Sequence, residues 1–397
     1  MRIDTVNARA IPDTRGKATI ETTLTSGTLS ATASVPSGKS TGSHEALELR
    51  DDENGGVAQA IENVQIEIAH AITERDFATA DELDDFLIEL DGTANKSRLG
   101  ANALLAVSIA AQRLFAHQEG VPLWRAIANR AGTTPRAPRL YVNVMNGGAH
   151  ADFKLPFQEY ILVVEGTTSD AMPTAREVFA KLGDRLDSGV PMGDEGGYAP
   201  TFDTLEQPFE LLAELVNESP HTSIAIDAAA SELFKDGSYH LLGKSYSAEE
   251  LTFIYESVAK KYPLHSIEDP FDEESASDFT RITAALGEKI LIIGDDLTVT
   301  NPSRINDAAT QKAINAVLIK PNQIGTVKEA IAAVQRTYAA GWEAIASHRS
   351  GETSDTFIAD FAYGVGAYGI KAGGLGQRER VAKYDRLLAI EREAETR

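Results

Sequence analysis

The sequence contains no cysteine among its 397 residues. Disulfide bridges, thiolate metal ligands and cysteine nucleophiles are therefore excluded, and this composition fits a reducing compartment. The sequence also has no apolar run close to the ~18 residues that a membrane span needs. Its opening stretch, MRIDTVNARA, does not resemble a signal peptide. These absences predict a cytoplasmic protein with no membrane partner.

Positive charge is scarce as well. The chain has 37 lysines and arginines against 59 aspartates and glutamates, which gives a formal net charge of −22. Such an acidic chain repels nucleic-acid phosphates, and no basic stripe reverses the repulsion locally, so we exclude a nucleic-acid partner. An anionic substrate would need local cations or a metal ion. The remaining composition, 43% hydrophobic and 24% charged, is typical of a globular protein.

Two domains are predicted from a change of hydrophobic period along the chain. Residues 17–35 alternate apolar and polar side chains around a Ser-Gly turn, which indicates two β-strands. From residue 56 to about residue 121 the apolar positions recur at helical spacing. Strands followed by helices are typical of a small α+β domain, and the Pro-, Gly- and Thr-containing segment 131–140 is typical of a linker. We therefore predict an α+β domain over residues 1–132 and a second domain over residues 133–397.

Beyond the linker, short apolar runs each end in a polar residue, most of them roughly 25 residues apart, the length of one strand and one helix. This repeat, over a length close to the ~250 residues of a β/α barrel, predicts overall class α/β with a C-terminal TIM-type barrel. For one such residue a helix N-cap is the simpler explanation. Six such residues, each at the end of an apolar run, instead favour side chains that meet at the mouth of the barrel. Two of the six are lysines, and lysine is not an N-cap residue. The six residues are Asp227, Glu268, Asp295, Lys320, His348 and Lys371.

Three of these strand ends carry carboxylates, namely Asp227, Glu268 and Asp295. Brought to one mouth without compensation, they would repel one another and raise each other's pKa. A hard divalent cation with oxygen ligands removes that repulsion, and Mg²⁺ suits it because it leaves positions for water and substrate. Zinc is less favoured, because cysteine is absent and His348 closes a different strand.

The cationic residues allow two interpretations. Lys320 beside a metal ion would be pushed toward its neutral form, which a general base requires. Residue type alone gives equal weight to a structural lysine paired with one of the carboxylates. Lys371 and Arg349 supply fixed positive charge for an anionic substrate, and Arg349 with Ser350 fits a phosphate clamp.

Two loops are further candidates. Glu195 lies between glycines in MGDEGGYAP, where a lone acid is usually a turn residue, but its place within the barrel makes it a candidate acid. The loop VPSGKSTGSHEALELRD of the first domain contains GKST. A phosphate-binding P-loop would need glycine at Ala33, so we reject nucleotide binding. A mobile lid that carries Ser40 is the alternative.

The chain resembles the enolase family, the phosphopyruvate hydratases, along almost its whole length. This resemblance implies an α+β first domain and a modified barrel that begins ββαα rather than βα. It also implies reversible dehydration of 2-phosphoglycerate to phosphoenolpyruvate, and a homodimer or octamer. The segments that carry it include VPSGKSTGSHEALELRD, NGGAHAD, FQEY, GDEGGYAP, SIEDPFDE, GDDLTVTNP, NAVLIKPNQIGT and SHRSGETSDTFIAD.

The resemblance also implies two Mg²⁺ ions in each active site. The three carboxylates Asp227, Glu268 and Asp295 would hold the first ion. Ser40 of the lid, together with the substrate phosphate, would hold the second, which arrives with the substrate. The substrate would be a small phosphorylated molecule.

Catalytic and substrate-binding roles follow from the same resemblance. Lys320 would take the C2 proton of the substrate and Glu195 would protonate the departing hydroxyl, with Glu159 assisting. His348 is counted with these catalytic residues and would contact the substrate together with Lys371. The full set of implied substrate contacts is His150, Gln158, Arg349, Ser350 and Lys371.

The chain departs from the usual family pattern at two places near the predicted site. Lys39 stands in the lid where the family usually has alanine, and AGGLGQRER follows Lys371 where the family usually has TGAPSRSER. Neither departure replaces a predicted ligand or proton-transfer group. They leave open a diverged lyase for another phosphorylated or carboxylated hydroxy acid. Besides the family's dehydration reaction and a diverged lyase, a third hypothesis is a non-catalytic binding or structural role.

Overall fold

The structure is a computed structural model that describes residues 1–52, 55–148 and 155–396. The predicted substrate contact His150 lies outside the described residues. Within the part that is described, no helix is both long enough and apolar enough to cross a membrane.

The chain begins with a three-stranded antiparallel sheet in the order β1-β2-β3. The predicted strand pair within residues 17–35 corresponds to β2 and β3, which join at a turn where Gly27 has a φ of +58°. Alternate residues of β2, such as Ile20 and Leu24, are fully buried, as the sequence alternation predicts. The strands are β1 (Thr5–Pro12), β2 (Ala18–Ser26) and β3 (Leu29–Ser34).

Helices cover this sheet over the stretch predicted to be helical. The longest, α4, is buried on nearly all sides, because its apolar residues continue around the helix and it packs against β2 and β3. A π-helical turn, Asn63–Ile68, joins the first two helices. The helices are α1 (Ala58–Glu62), α2 (Ala69–Thr73), α3 (Ala80–Asp91), α4 (Ala101–Glu119) and α5 (Leu123–Ala131).

The segment 132–138, between α5 and the next strand, has no regular helix or strand. We propose that the domain boundary lies here, between residues 132 and 133. The elements before this segment belong to the small sheet and its helices, and those after it build a separate barrel.

Eight strands after this segment close into a barrel in the order β4-β5-β6-β10-β11-β12-β13-β14, with β14 pairing back to β4. The predicted barrel is therefore confirmed. Strand β5 runs antiparallel to both neighbours, whereas the other pairings are parallel. The strands are β4 (Arg139–Asn146), β5 (Glu159–Val164), β6 (Thr222–Asp227), β10 (Leu264–Glu268), β11 (Leu291–Gly294), β12 (Ala316–Ile319), β13 (Glu343–Ser347) and β14 (Gly369–Lys371).

Helices surround the barrel, and two of them, α6 and α7, follow β5 before β6 begins. This is the ββαα start that the family resemblance implied. A short helix and a three-stranded hairpin sheet, α8 (Ala230–Leu233), β7 (Phe234–Lys235), β8 (Ser238–Leu241) and β9 (Lys244–Tyr246), lengthen the interval between β6 and β10. The outer helices are α6 (Thr168–Arg185), α7 (Gln207–Asn217), α9 (Ala248–Lys261), α10 (Ala276–Leu286), α11 (Pro302–Gln311), α12 (Val327–Ala339), α13 (Phe357–Gly364) and α14 (Arg378–Glu395).

The first domain packs against the barrel at the N-terminus of α12. The backbone N–H groups of Val327 and Lys328 donate to Ser108 Oγ at 3.0 Å and to Asp84 Oδ2 at 3.0 Å. Lys96 Nζ lies 2.9 Å from Glu329 Oε1 beside them. Because the first N–H groups of a helix have no partner within the helix, the small domain supplies acceptors that the helix itself lacks.

Replacing Asp84 with asparagine is expected to change how stability depends on pH. Burial, opposed by hydrogen bonds from Ser108 and Lys328, raises the pKa of Asp84 to about 7. An acid whose folded-state pKa is raised binds its proton more tightly when folded, so its contribution to stability falls as pH rises from about 4 to about 7. The amide of the Asp84→Asn variant cannot ionise, and its oxygen still accepts from the Lys328 N–H. Relative to wild type, the variant should gain on the order of 3 kcal/mol of unfolding free energy at pH 8 and little at pH 4.

Urea unfolding of both proteins across this pH range measures the difference. Asp85→Asn is the matched control, because Asp85 is exposed on the same helix and loss of its ion pair with Lys328 should change stability little. A constant difference between Asp84→Asn and wild type from pH 4 to pH 8 would contradict the buried titration.

Candidate active site

The C-terminal ends of the barrel strands and the lid segment line a cavity. Eleven of the residues predicted from the sequence come together here from widely separated parts of the chain; Glu268 does not line the cavity but contacts Lys371, which does. Those that line the cavity are Ser40, Gln158, Glu159, Glu195, Asp227, Asp295, Lys320, His348, Arg349, Ser350 and Lys371.

Glu159 reaches this mouth because β5 is reversed. It is the first residue of its strand and pairs in register with Asp227, the last residue of β6. In a uniformly parallel barrel the first residue of a strand would lie at the opposite end. Gln158, just before the strand, donates from Nε2 to Asp227 Oδ2 at 3.4 Å.

Lys371, the last residue of β14, lies among three buried carboxylates. Its Nζ is 2.8 Å from Glu268 Oε2, 3.0 Å from Asp227 Oδ2 and 3.2 Å from Glu159 Oε1. Burial disfavours the ammonium, but the surrounding carboxylates outweigh it and raise the pKa of Lys371 well above its ordinary value. Lys371 therefore neutralises part of the acidic mouth while it lines the cavity.

Lys320 directly follows β12 and forms an ion pair with Asp295 Oδ2. The other oxygen of Asp295 accepts from Gln323 Nε2 at 2.8 Å. Burial favours the neutral amine, but the Asp295 carboxylate outweighs it and raises the pKa of Lys320. In this arrangement Lys320 is an ammonium paired with a carboxylate. This is the pairing expected of a structural lysine, the second of the two interpretations of Lys320 from the sequence.

A second group of acids lies beside Asp295. Oxygen atoms of Asp269, Asp295 and Asp296 lie within 4.8 Å of one another. Asp269 also accepts the backbone N–H groups of Asp295 at 2.9 Å and of Asp296 at 2.8 Å. Burial and mutual repulsion raise the pKa values of Asp269 and Asp296 well above normal. Sequence reasoning gave neither residue a role, although each directly follows a predicted ligand, in HSIEDP and LIIGDD.

The donor set at this side of the mouth suits a divalent cation. The predicted ligands Asp227 and Glu268 meet at Lys371, whereas the third, Asp295, lies with Asp269 and Asp296. Burial and the neighbouring Asp227 charge raise the pKa of Glu268 well above its ordinary value. Crowded oxygen donors that resist joint ionisation are the environment in which Mg²⁺ or a similar hard cation binds.

Two acids and a histidine form a further group that lines the cavity. Ligand atoms of Glu159, Glu195 and His348 lie within 4.8 Å of one another. Glu195 Oε2 is 3.6 Å from His348 Nε2 and accepts from Asn143 Nδ2 at 3.0 Å. Burial and the Glu195 charge raise the pKa of Glu159 well above its ordinary value. The two carboxyl groups are therefore arranged to retain a proton between them, as a general acid requires.

The guanidinium of Arg349 is engaged by the lid. Its Nη1 and Nη2 donate to Glu45 Oε2 and Oε1 at 2.9 and 3.0 Å, a bidentate contact that the sequence did not indicate. Nη2 also donates to the Ser40 carbonyl at 3.2 Å. Ser350 Oγ accepts from Arg15 Nη1 at 3.2 Å. The guanidinium of Arg349, which was predicted to bind phosphate, is therefore occupied by a carboxylate of the lid.

The lid begins at a fixed point and contacts several walls of the mouth. Ser37 and Gly351 exchange backbone hydrogen bonds at 2.8 and 2.9 Å. A Cβ at Gly38 would lie 2.1 Å from Arg349 Nη2, so any other residue there would have to displace the guanidinium. Ser40 Oγ donates to Glu232 Oε1 at 2.8 Å. Hydrogen bonds therefore connect the lid to the barrel at its hinge and above the cavity.

Both departures from the family pattern contact the loop that carries Glu195. Lys39 Nζ lies 2.7 Å from Asp194 Oδ2, and Gln377 Nε2 donates to the Asp194 carbonyl at 3.2 Å. The substitutions therefore add contacts around the predicted acid and leave the lysines and carboxylates of the mouth in place.

The fold and this mouth define a class of barrel enzyme, in which a small α+β domain supplies a lid and the strand ends supply lysines, carboxylates and a cation site. Comparison with known proteins narrows the class. Residues 136–397 match the family model described as enolase, C-terminal TIM barrel domain, and residues 3–127 match that described as enolase, N-terminal domain.

Two curated relatives cover nearly the whole chain. An enolase from Methanopyrus kandleri is 42% identical over 410 residues, which is 98% of this chain and 95% of the relative. Enolase B from Dictyostelium discoideum is 43% identical over 423 residues, 100% of this chain and 96% of the relative. The chain belongs to the enolase family, and it is a lyase of the phosphopyruvate hydratase type.

Proposed function

We propose that the chain catalyses the reversible, Mg²⁺-dependent dehydration of 2-phosphoglycerate to phosphoenolpyruvate and water. The observation that carries the proposal is that a lysine and a pair of acids line one cavity from opposite strands of the barrel. Lys320 follows β12, and Glu159 begins β5, which is four strands away in the order β12-β13-β14-β4-β5; Glu195 lies beside Glu159. A base and an acid on opposite sides of a substrate can remove a proton and protonate a leaving hydroxyl.

Proton removal falls to Lys320. Loss of the C2 proton beside a carboxylate leaves a carbanion whose charge spreads onto the carboxylate oxygens. Lys320 must be a neutral amine to accept that proton. Its ion pair with Asp295 favours the protonated ammonium instead. A cation held by Asp295 would offset the charge of this carboxylate, and burial would then favour the neutral amine of Lys320.

Asp227, Glu268 and Asp295 are the residues that would hold the first Mg²⁺, with Asp269 and Asp296 next to them. When bound, Mg²⁺ supplies positive charge where the substrate carboxylate becomes more negative, so it stabilises the transition state more than the ground state. Lys371, ion-paired among the same carboxylates, adds fixed positive charge.

Departure of the hydroxyl falls to Glu195. Its carboxyl group lies beside Glu159, and two buried carboxyl groups this close do not both ionise readily. A proton held by the pair is available for the leaving oxygen. Glu159 thus assists Glu195, and Asn143 orients the Glu195 carboxyl through its hydrogen bond.

The substrate phosphate binds at Arg349 and Ser350. Because Glu45 fills the Arg349 fork, the phosphate must displace this carboxylate or share the guanidinium with it. Ser40 and the phosphate would hold a second Mg²⁺ that arrives with the substrate. Gln158, which directly precedes β5, contacts the substrate, and the same role is proposed for His150.

We further propose that the chain acts in the cytoplasm and assembles as a homodimer or octamer. The absence of cysteine is compatible with a reducing compartment. The assembly proposal rests on the family resemblance. Light scattering of the purified protein distinguishes the two assemblies by mass.

The activity is tested by the ultraviolet absorbance of phosphoenolpyruvate formed from 2-phosphoglycerate. We expect formation with Mg²⁺ and none when the metal is chelated. Folded protein that forms no phosphoenolpyruvate with Mg²⁺ would refute the proposal. Equal or faster turnover of another phosphorylated or carboxylated hydroxy acid would instead indicate a diverged lyase.

A further inference from the structure

Arg380, in the first turn of α14, has an unusual environment for a charged side chain. It is 0% exposed and lies behind the wall of the cavity that carries His348 and Arg349. Among the described residues, no carboxylate is within ion-pair distance of it. A buried charge is costly unless its hydrogen bonds are satisfied, so the contacts of Arg380 indicate why the charge is there.

All five N–H donors of the guanidinium have an acceptor. Nε donates to Gln377 Oε1 at 2.7 Å, and Nη2 donates to the Ser350 carbonyl at 2.9 Å and the Asp194 carbonyl at 3.0 Å. Nη1 donates to the Arg349 carbonyl at 3.2 Å and to His348 Nδ1. Arginine has five N–H groups in a fixed fork, so this geometry leaves no donor unused.

Space for this guanidinium depends on a glycine. A Cβ at Gly373 would lie 2.3 Å from Arg380 Cδ and 2.9 Å from its Nη1, and Gly373 has a φ of +87°. A side chain at position 373 would collide with Arg380, so glycine at this position leaves room for Arg380 to contact His348. Gln377, in the part of the segment that departs from the family pattern, accepts from Arg380 and donates to the Asp194 carbonyl.

The contact with His348 fixes which ring nitrogen carries the proton. A guanidinium only donates, so Nδ1 must present its lone pair. The one N–H of the neutral ring is then on Nε2, which lies 3.6 Å from Glu195 Oε2. Protonation of Nδ1 would place an N–H against the guanidinium. Burial, together with Arg380 and against the opposing Glu195 charge, holds the pKa of His348 well below its ordinary value.

The same guanidinium joins two segments of the mouth. Its contacts with the carbonyls of Arg349 and Ser350 hold the segment after β13, and its contact with the Asp194 carbonyl holds the loop of Glu195. The Nε2–H of His348 and the carboxyl of Glu195 are therefore aligned by one buried side chain that does not itself reach the cavity.

We propose that Arg380 is a positioning residue that fixes His348 as the Nε2–H tautomer and holds the Glu195 loop against it. His348 then acts as a neutral hydrogen-bond donor to the leaving oxygen beside Glu195, and neither accepts nor releases a proton during turnover. This deepens the proposed function and rests on it for the role of Glu195; the tautomer itself follows from the contacts alone.

The tautomer is tested by ¹⁵N NMR of the histidine side chains of the full chain at about pH 7, with His348→Gln to assign the signals. We expect a protonated Nε2 and an unprotonated Nδ1 for His348. A protonated Nδ1, whether the ring is neutral or charged, would overturn the proposal. This arm decides the tautomer even if the chain turns over no 2-phosphoglycerate.

The positioning role is tested with Arg380→Lys, which keeps the charge and loses the fork. We expect dehydration to fall by ~10- to 100-fold in kcat, while exchange of the C2 proton with solvent stays within about threefold of wild type. Arg386→Lys, on the same helix and paired with Asp360, is the matched control and should change neither rate. Equal losses of both rates, or no loss, in folded Arg380→Lys would overturn the role. Should this variant not fold, the wild-type spectrum decides.

Discussion

Lys320→Ala is expected to lower kcat for dehydration by about 10³-fold or more, because it removes the group that accepts the C2 proton. The structure places Lys320 directly after β12, largely buried in the cavity wall and paired with Asp295. The loss should appear mainly in kcat, since phosphate binding rests on other residues. The absorbance of phosphoenolpyruvate with saturating Mg²⁺ measures it.

Lys328→Ala is the control for a lost lysine charge, because Lys328 is outside the cavity and pairs with the exposed Asp85. It should keep wild-type activity. If folded Lys320→Ala retained more than about a tenth of wild-type kcat, the lysine would be structural and the proton would leave by another route.

Lys371→Met should have the largest effect on stability. Its Nζ is surrounded by Glu159, Asp227 and Glu268, and methionine of similar length would leave these carboxylates without their cation. Removing one partner of a buried ion pair typically costs about 3–5 kcal/mol. We expect a loss of this size in metal-free buffer and a partial recovery with Mg²⁺, because a cation on the same carboxylates replaces part of the missing charge.

Urea unfolding with a chelator and with Mg²⁺ measures both effects. Lys261→Met is the matched control, since Lys261 pairs with Glu210 at 3.1 Å on the exposed surface and should change stability little. A Lys371→Met protein as stable as wild type without metal would show that the carboxylates are protonated and need no cation.

Hydrophobic periodicity predicted the type and order of the main elements of the fold. The strand pair β2–β3, the helical stretch around α4 and the closing barrel all follow from spacing and length. The reversal of β5 does not follow from spacing, because an apolar strand buried on both faces carries no mark of its direction. Only the resemblance to a family implied it, and the antiparallel pairing of Glu159 with Asp227 is its consequence.

The sequence predicted those residues of the candidate site that lie at the C-terminal ends of barrel strands. Asp227, Lys320 and Lys371 are such cases, because parallel strands deliver their last residues to one mouth. The pairing among them was not predictable. Which carboxylate a lysine meets depends on distances between elements far apart in sequence, as in the contact of Lys320 with Asp295.

Residues that act from behind the cavity wall left no local signal either. Arg380 lies in the first turn of a helix that carries several other arginines, and Glu45 resembles any other acid of the lid. Glu45 contacts Arg349, which lies 304 residues further along the chain, and Arg380 contacts His348, which follows a different element. Only the assembled fold shows that these side chains orient the groups the sequence predicted.

The central claim is that Lys320 removes the C2 proton independently of the step that Glu195 assists. Exchange of that proton for deuterium in D₂O with Mg²⁺, followed by proton NMR of 2-phosphoglycerate, tests it most directly. We predict exchange with wild type and with Glu195→Gln, whose dehydration is blocked, and none with Lys320→Ala. Exchange at the wild-type rate in folded Lys320→Ala would contradict the account.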